Sequence, residues 1–335
     1  MSGPTVRDVA EVAQVSLATV DRVLNNRGGV SAKVVDRVKA AVVQTGYVRN
    51  LAAANLSRRR IYRFCFVVPS GDTGFVALLH AALAQEQQRL REEQVHVQIV
   101  PTRAFDVQDQ VAALRKLDCD AVAVMASEAP EINAQIAALQ AAGVRVVSLV
   151  ADLPSSGRDA YVGPDNVVAG RTAAEFMGRF IKDAGNVLMI AGSLAARDHS
   201  ERLLGFQMVM QERFGGCTLL PAAQGADDAA RVEQIVLDTA RTQPLAGIYA
   251  IGAGNRGLVR AVGTLDPKPT TIVHELTQTS REALRTGIFD LVIDQDIRAG
   301  VIAAVGVMRD LTEATTPPAD AGRIKLNIYS RENIQ

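Results

Sequence analysis

Two stretches of this chain carry residue types at spacings that could do chemistry. The first is Ser16-Leu17-Ala18-Thr19-Val20-Asp21-Arg22-Val23-Leu24-Asn25. Arg22 carries a planar fork of N–H donors that matches the O6/N7 edge of guanine. Leu17 and Ala18 offer only apolar contact, for example to a thymine methyl. Ser16, Thr19 and Asn25 suit phosphate oxygens, which position a protein on DNA without reading its sequence. The second is Gly252-Ala253-Gly254-Asn255-Arg256-Gly257, a G-x-G-x-x-G match after an apolar run, with Glu275 about twenty residues on, as a dinucleotide site requires. A lone match of this kind is a weak signal, and it lies late in the chain. Other chemistry finds no constellation. There is no G-x-S-x-G, P-loop or H-E-x-x-H, so no catalytic residue is nominated and no enzyme is expected. Cys65, Cys119 and Cys217 are isolated, and His80, His96, His199 and His274 are scattered. Neither a metal site, a disulfide framework nor a resident cofactor is expected. His274, at a strand end, reads equally as a ligand donor or a structural histidine.

Base reading needs a helix held out towards a groove, and the first sixty residues supply the elements. Thr5 is an N-cap with Asp8 three residues on, and Val6, Val9, Ala10 and Ala13 recur at helical spacing. After the turn Gln14-Val15-Ser16, Ser16 caps a second helix through Leu24. Two short helices across so tight a turn form a helix-turn-helix signature. Val20 and Val23 face inward, leaving Leu17, Ala18, Asp21 and Arg22 outward. Ser31 caps a third helix that runs through Val34, Val35, Val38 and Val42 and ends near Gly46. Charge agrees with this reading. Residues 1–63 hold 11 Lys/Arg against 4 Asp/Glu, or +7; the rest hold 25 (36 − 11) against 32 (36 − 4), or −7. A basic head on an acidic body suits a polyanionic partner.

The stretches Thr5-Val6-Arg7-Asp8-Val9-Ala10, Val15 through Asn25, and Gly46-Tyr47 with Asn50 together resemble the lactose/galactose-repressor (LacI/GalR) family, over about sixty residues. The resemblance implies a transcription regulator, with Thr5 and the helix-turn-helix residues at operator DNA. It also implies a hinge helix from Asn50 to Ser57 that forms on operator DNA, in which Asn50, Ala53 and Leu56 meet the minor groove and Leu56 wedges into a base step. An eight-residue helix is marginal alone, and apolar wedges kink DNA at such steps. Position 21 is usually Ser in the family. Asp21 accepts from a cytosine amino group or braces a neighbouring Arg.

From Ile61 the pattern alternates strand and helix. Phe64–Val68, Val95–Val100, Ala121–Met125 and Val144–Val150 are apolar runs separated by Ala/Leu/Gln-rich helices. After Tyr161-Val162-Gly163 the rhythm restarts with Val187–Ile190, Ile248–Ala250, Thr271–Val273 and Leu291–Ile293. Such runs are parallel strands covered on both faces, in two Rossmann-like lobes with a ligand cleft at the strands' carboxyl ends. At 48% hydrophobic but only 4% aromatic residues, Ala, Val, Leu and Ile must fill the cores. Phe75, in a strand-to-helix loop, either stacks on a sugar face or belongs to the core. Asp152, after a strand, accepts from a ligand hydroxyl or forms the turn before Pro154.

This body resembles the type I periplasmic sugar-binding proteins that the same family uses as its sensor. Arg202-Leu203-Leu204-Gly205-Phe206 is similar to the family's R-x-x-G-F/W element, which implies that Arg202 reaches the ligand's hydroxyls. Glu275 and Gln295 stand where sugar-binding relatives place an Asp and a Gln, and Asn255 is a weaker match to an Asn-Asp pair. The expected fold is therefore α plus α/β: a three-helix helix-turn-helix domain (1–48), a hinge helix (49–60) and a two-lobed effector domain (61–335). Its first lobe is expected to hold about 61–162 and 296–322, its second about 163–295 and 323–335. The expected function is repression of a carbohydrate-utilisation operon, controlled by a sugar, polyol or sugar acid. The partners are pseudo-palindromic operator DNA and a second copy of the chain, because one short helix reads too few base pairs. The start of the chain is polar and charged, and no run reaches the ~18 apolar residues of a membrane span. A cytoplasmic location follows, with no membrane partner.

Overall fold

The computed structural model describes residues 4–24, 29–47, 61–71, 74–181 and 184–334. The chain forms two compact units, one ending at Ile61 and one running from Tyr62 to Gln335 apart from Glu92–Gln94.

The N-terminal unit holds helices α1 (Val6–Ala13), α2 (Leu17–Leu24) and α3 (Ala32–Thr45). Thr5 starts α1 in a capping box: its N–H and hydroxyl both donate to the Asp8 carboxylate, at 2.5 and 2.8 Å. Gln14, in the left-handed region at φ 51°, ends the helix, and Ser16 Oγ accepts from the Thr19 N–H at 3.1 Å to start the next. Gly46, at φ 65°, closes α3 and turns the chain. Val9, Ala13, Val20, Val23, Val38 and Ala41 form the small core, and α2's remaining face stays in solvent.

The second unit is built on two sheets. The first has the order β2-β1-β3-β4-β5: β1 (Tyr62–Pro69), β2 (Val95–Thr102), β3 (Ala121–Val124), β4 (Arg145–Leu149) and β5 (Ala160–Val162), all parallel. The helices α4 (Gly74–Glu92), α5 (Val107–Leu114) and α6 (Pro130–Ala141) connect them. The second sheet contains β6 (Gly185–Ala191), β7 (Cys217–Leu219), β8 (Ala223–Gln224), β9 (Leu245–Ala250), β10 (Thr270–His274), β11 (Leu291–Gln295) and β12 (Leu326–Tyr329). Its order is β12-β11-β10-β9-β6-β7, with β8 also on β6, and only β12 is antiparallel. Its helices are α7 (Asn166–Phe180), α8 (Arg197–Arg213), α9 (Ala229–Thr242), α10 (Asn255–Gly263) and α11 (Gln278–Arg285).

Strand alternation puts a core on each face of each sheet. On β1, Phe64, Phe66 and Val68 enter one cluster while Cys65 and Val67 enter the other. On β9, Ile248 and Ala250 face one side, Tyr249 and Ile251 the other. The lobes are stitched by crossings. Helix α12 (Ile297–Thr312) follows a second-sheet strand, yet Val301, Ala304, Val305 and Met308 pack in the first sheet's core. Two crossing strands run side by side: Gly163 N–H donates to Gly322 O at 2.9 Å, and Ile324 N–H to Gly163 O at 3.0 Å. A Cβ on Gly322 would stand 2.1 Å from Tyr161 O, so this position must be glycine.

Candidate functional site: an effector cavity and a base-reading helix face

The carboxyl ends of both sheets enclose a cavity of about 660 Å³. One wall carries Phe75, Phe105 and Ser127; the other carries Asp198, His199, Arg202, Asp227, Asn255, Glu275 and Gln295. A parallel sheet ends there in turns, so polar side chains from several strands converge without crossing the apolar core.

Arg202 is built in from below. Gly170 on α7 and Gly205 on α8 face one another's backbones: an added Cβ would lie 1.9 Å from Arg202 O and 2.1 Å from Val167 O. The two helices therefore pack at backbone contact, and Phe206 stacks on Tyr249 with ring centroids 4.4 Å apart. One turn above, the buried Arg202 is aimed at the cavity. Its Nε donates to Asn166 Oδ1 at 2.8 Å, its Nη1 to Ile251 O at 3.3 Å, and its Nη2 lies 3.9 Å from Glu275 Oε1. Asn166 in turn donates to Val150 O at 3.3 Å, and the Tyr161 hydroxyl stands 2.8 Å from the same carbonyl. Arg202 thus ties the cavity to the crossing between the lobes.

Glu275 sits at the end of β10 with φ 68°, a conformation that non-glycine residues avoid, held by its N–H donating to Ile293 O at 2.9 Å. Gln295 Nε2 donates to Glu275 Oε1 at 2.8 Å, while Oε2 is buried with no partner among the described residues. Burial pushes the Glu275 carboxyl up to about 7, against the opposing pull of Arg202. Asn255 Nδ2 donates to His274 O at 3.4 Å, and its buried Oδ1 has no partner among the described residues. His274 is held well below the ordinary imidazole range by burial and by Arg202, and is neutral, its Nε2 2.8 Å from the Tyr249 hydroxyl.

Backbone strain collects at the same place. Among the described residues, five of the eight non-glycine residues with positive φ line this cavity: Phe105, Val150, Ala226, Asp227 and Glu275. Such clustering marks ligand sites, because the surrounding fold must hold each residue against its preference.

Five of the six residues expected at the ligand lie together here: Phe75, Arg202, Asn255, Glu275 and Gln295. Asp152 does not, and its expected ligand role is corrected. Its carboxylate takes Arg158 through both Nε and Nη2, and accepts from Ser148 Oγ at 2.9 Å and from the Leu153 N–H at 2.7 Å. Burial raises that carboxyl, but the hydrogen bonds from Arg158 and Ser148 outweigh it and hold the group below its ordinary range. Asp152 is a turn-forming ion pair, the alternative that its position before Pro154 offered. The glycine-rich loop is also explained without a nucleotide. Ala253 N–H donates to Asp227 Oδ1 at 2.8 Å, so a carboxylate already occupies the position where such a loop would take a phosphate. Gly257 is small because a Cβ would lie 1.7 Å from Ala229 O.

Asp198, His199, Asp227 and Phe105 were not singled out from the sequence as ligand groups. Asp227 follows a two-residue strand, too short to show a pattern, and Phe105 follows an edge strand. His199 and Asp198 precede Arg202 by one turn, which was the available signal.

On the other unit, Ser16, Leu17, Ala18, Asp21 and Arg22 are exposed along α2, while Val20 and Val23 are buried, as the spacing predicts. Thr19 is half-buried, its hydroxyl 2.9 Å from Ser16 Oγ. Thr5 is exposed and engaged with Asp8. Asn25, Asn50, Ala53 and Leu56 lie outside the described residues.

Fold and site together define a two-lobed α/β body with a cavity at the carboxyl ends of its strands, preceded in the chain by a helix-turn-helix unit. Residues 64–316 match the periplasmic binding protein domain and residues 5–50 match the lacI family of bacterial regulatory proteins; the chain belongs to the LacI family of regulators with that sensor domain. It is similar to the ribose operon repressor of Halalkalibacterium halodurans, 24% identical over 281 residues (80% of this chain, 79% of that one). The HTH-type transcriptional regulator DegA of Bacillus subtilis is 24% identical over 212 residues, 62% of this chain and 61% of its own length. Against several curated relatives the chain spans only 34% to 61% of their length. The fold matches GanP, a glucose-galactose binding protein from Geobacillus stearothermophilus, with TM-score 0.74 at 18% identity, over 82% of this chain and 99% of that one. No helix among the described residues is long and apolar enough to cross a membrane.

Proposed function

We propose that the chain is a sequence-specific transcription repressor of a carbohydrate-utilisation operon, whose operator affinity is set by a sugar or sugar-like effector in the cavity. One observation carries this reading: a cavity lined by the buried side chains of Arg202, Glu275 and Gln295 belongs to the same chain as a helix that exposes Leu17, Ala18, Asp21 and Arg22. A buried arginine beside acceptor groups suits vicinal hydroxyls, and the exposed helix face suits base edges. In this reading residues 1–48 are the DNA-binding domain, 49–60 the hinge that folds on DNA with Leu56 as wedge, and 61–335 the cytoplasmic sensor. The working unit is a homodimer on a pseudo-palindrome, and the chain is a regulator and not an enzyme. Effector that binds the DNA-competent state less well must weaken DNA binding by linkage.

The test is a gel-shift titration of the full chain on DNA upstream of its own and neighbouring genes, with and without a panel of sugars, at one stated salt concentration. Shift of a specific fragment, its reversal by one sugar, and loss of about 1–3 kcal/mol of specific affinity in Arg22→Ala are expected. Equal affinity for every fragment would refute the reading.

A further inference from the structure

We propose that the effector presents a protonated amine to the corner formed by Glu275 and Asn255, so that the ligand class is an amino sugar or amino polyol. This inference rests on the reading of the cavity as the effector site.

The cavity is acidic where it is deepest. Asp198 and Glu275 are buried, Asp227 is largely so, and among the described residues Arg202 is the one buried guanidinium in the wall. Arg256 and Asp228, the remaining charged side chains of the lining, are exposed. Arg202 donates to Asn166 Oδ1 and Ile251 O, and its Nη2 stands 3.9 Å from Glu275. Its positive charge offsets one carboxylate, and burial holds the Asp227 and Glu275 carboxyls above their ordinary range, so that a second counter-charge would favour their ionised forms. His274 is neutral and bonded to Tyr249, and His199 Nε2 stands 3.7 Å from Asp198 while its Nδ1 faces Ser193. Buried charge without a counter-charge is costly, and a cationic ligand supplies one.

The hydrogen-bonding inventory points the same way. Among the described residues, two buried side-chain atoms of this wall lack a partner: Asn255 Oδ1, an acceptor, and Glu275 Oε2, an acceptor once ionised. The Asn255 amide is oriented by its neighbour: Nδ2 faces the His274 carbonyl, and exchanging N for O would set two acceptors together. Both side chains line the cavity, and the Asn255 amide is held against the backbone of the residue before Glu275. The ligand must therefore bring donors. A hydroxyl brings one donor with acceptor lone pairs, whereas an ammonium brings three donors and no acceptor. A ligand carboxylate would meet the carboxyls of Asp198, Asp227 and Glu275. Above the corner, Phe75 and Phe105 offer apolar ring faces, and Phe105 lies 6.1 Å from the His199 ring across the cavity. Such faces accept a sugar ring and tolerate a cation.

The experiment is calorimetric titration of the full chain, near about pH 7, where sugar amines are substantially protonated. The probes are glucose, galactose and mannose, their derivatives with an amine at C2, C3 or C6, and glucuronate and galacturonate. At least one amino hexose should bind about tenfold or more tighter than its parent, as a charge-assisted buried hydrogen bond warrants, and the uronates should not bind. Glu275→Gln, which keeps the shape, should bring the amine-to-parent ratio to about one. A neutral hexose or a uronate binding best would overturn the amine while leaving a sugar effector standing. Silence of the whole panel would overturn both. An amine preference that survives in Glu275→Gln would overturn the corner.

Discussion

Glu275→Gln should make the protein more stable at alkaline pH and change nothing at acid pH. The carboxyl is buried and lies at about 7 in the folded chain against an ordinary 4.5. The folded state therefore binds the proton more tightly than the unfolded state. Its contribution to stability is fully present below about pH 4.5 and is lost as pH rises through 7. At about 1.4 kcal/mol per pKa unit, ionising Glu275 costs the folded protein roughly 3 kcal/mol by pH 8. Glutamine mimics the protonated group. Its amide oxygen can accept from Gln295 Nε2 as Glu275 Oε1 does, and its NH2 takes the place of the unpartnered Oε2. Urea unfolding of wild type and variant at pH 5 and pH 8, without effector, measures the difference. The variant should gain about 2–3 kcal/mol at pH 8 and less than about 1 at pH 5. A variant destabilised equally at both values would refute the burial argument, because it would show that the carboxylate's partners outweigh its desolvation.

Other substitutions probe other parts of the same construction. Arg202→Ala should abolish the effector response and also cost about 3–5 kcal/mol of stability, because it strands Glu275, Asn166 Oδ1 and Ile251 O together; an unchanged urea midpoint would contradict this, and Arg202→Lys should not rescue, lacking the fork. Gly205→Ala should cost about 3 kcal/mol or more, since its Cβ would lie 2.1 Å from Val167 O and must part α7 from α8, a change visible in the thermal midpoint. Asp152→Asn should leave effector affinity as it is, measured by calorimetry, and lower stability by about 1–2 kcal/mol through its lost pairing with Arg158.

The sequence by itself determined the elements and much of the site. Local signals suffice where neighbours in sequence are neighbours in space. Thr5 with Asp8, Ser16 with Thr19 and Gly46 as left-handed cap all act within one helical turn, so the three-helix head was legible, as was the face that α2 exposes. Strands buried on both faces read as continuous apolar runs, which gave the two sheets. Arg202, Asn255, Glu275 and Gln295 were legible because each stands at the end of a strand or in a short motif.

Tertiary structure decided what depends on residues far apart in the chain. The charge of the cavity is a sum over Asp198, Arg202, Asp227 and Glu275, which no local pattern adds up. Whether Asp152 served a ligand or Arg158 depended on which way one turn pointed. Whether Gly252–Gly257 cradled a phosphate depended on Asp227, which lies more than twenty residues earlier and fills the place with its own carboxylate. Gly170 and Gly205 each look unremarkable in sequence; only the crossing of α7 on α8, where one backbone meets the other, shows why neither has a side chain. Periodicity encodes which face of an element is buried, but the partner that buries it, and the electrostatic balance that results, exist only once the chain has folded.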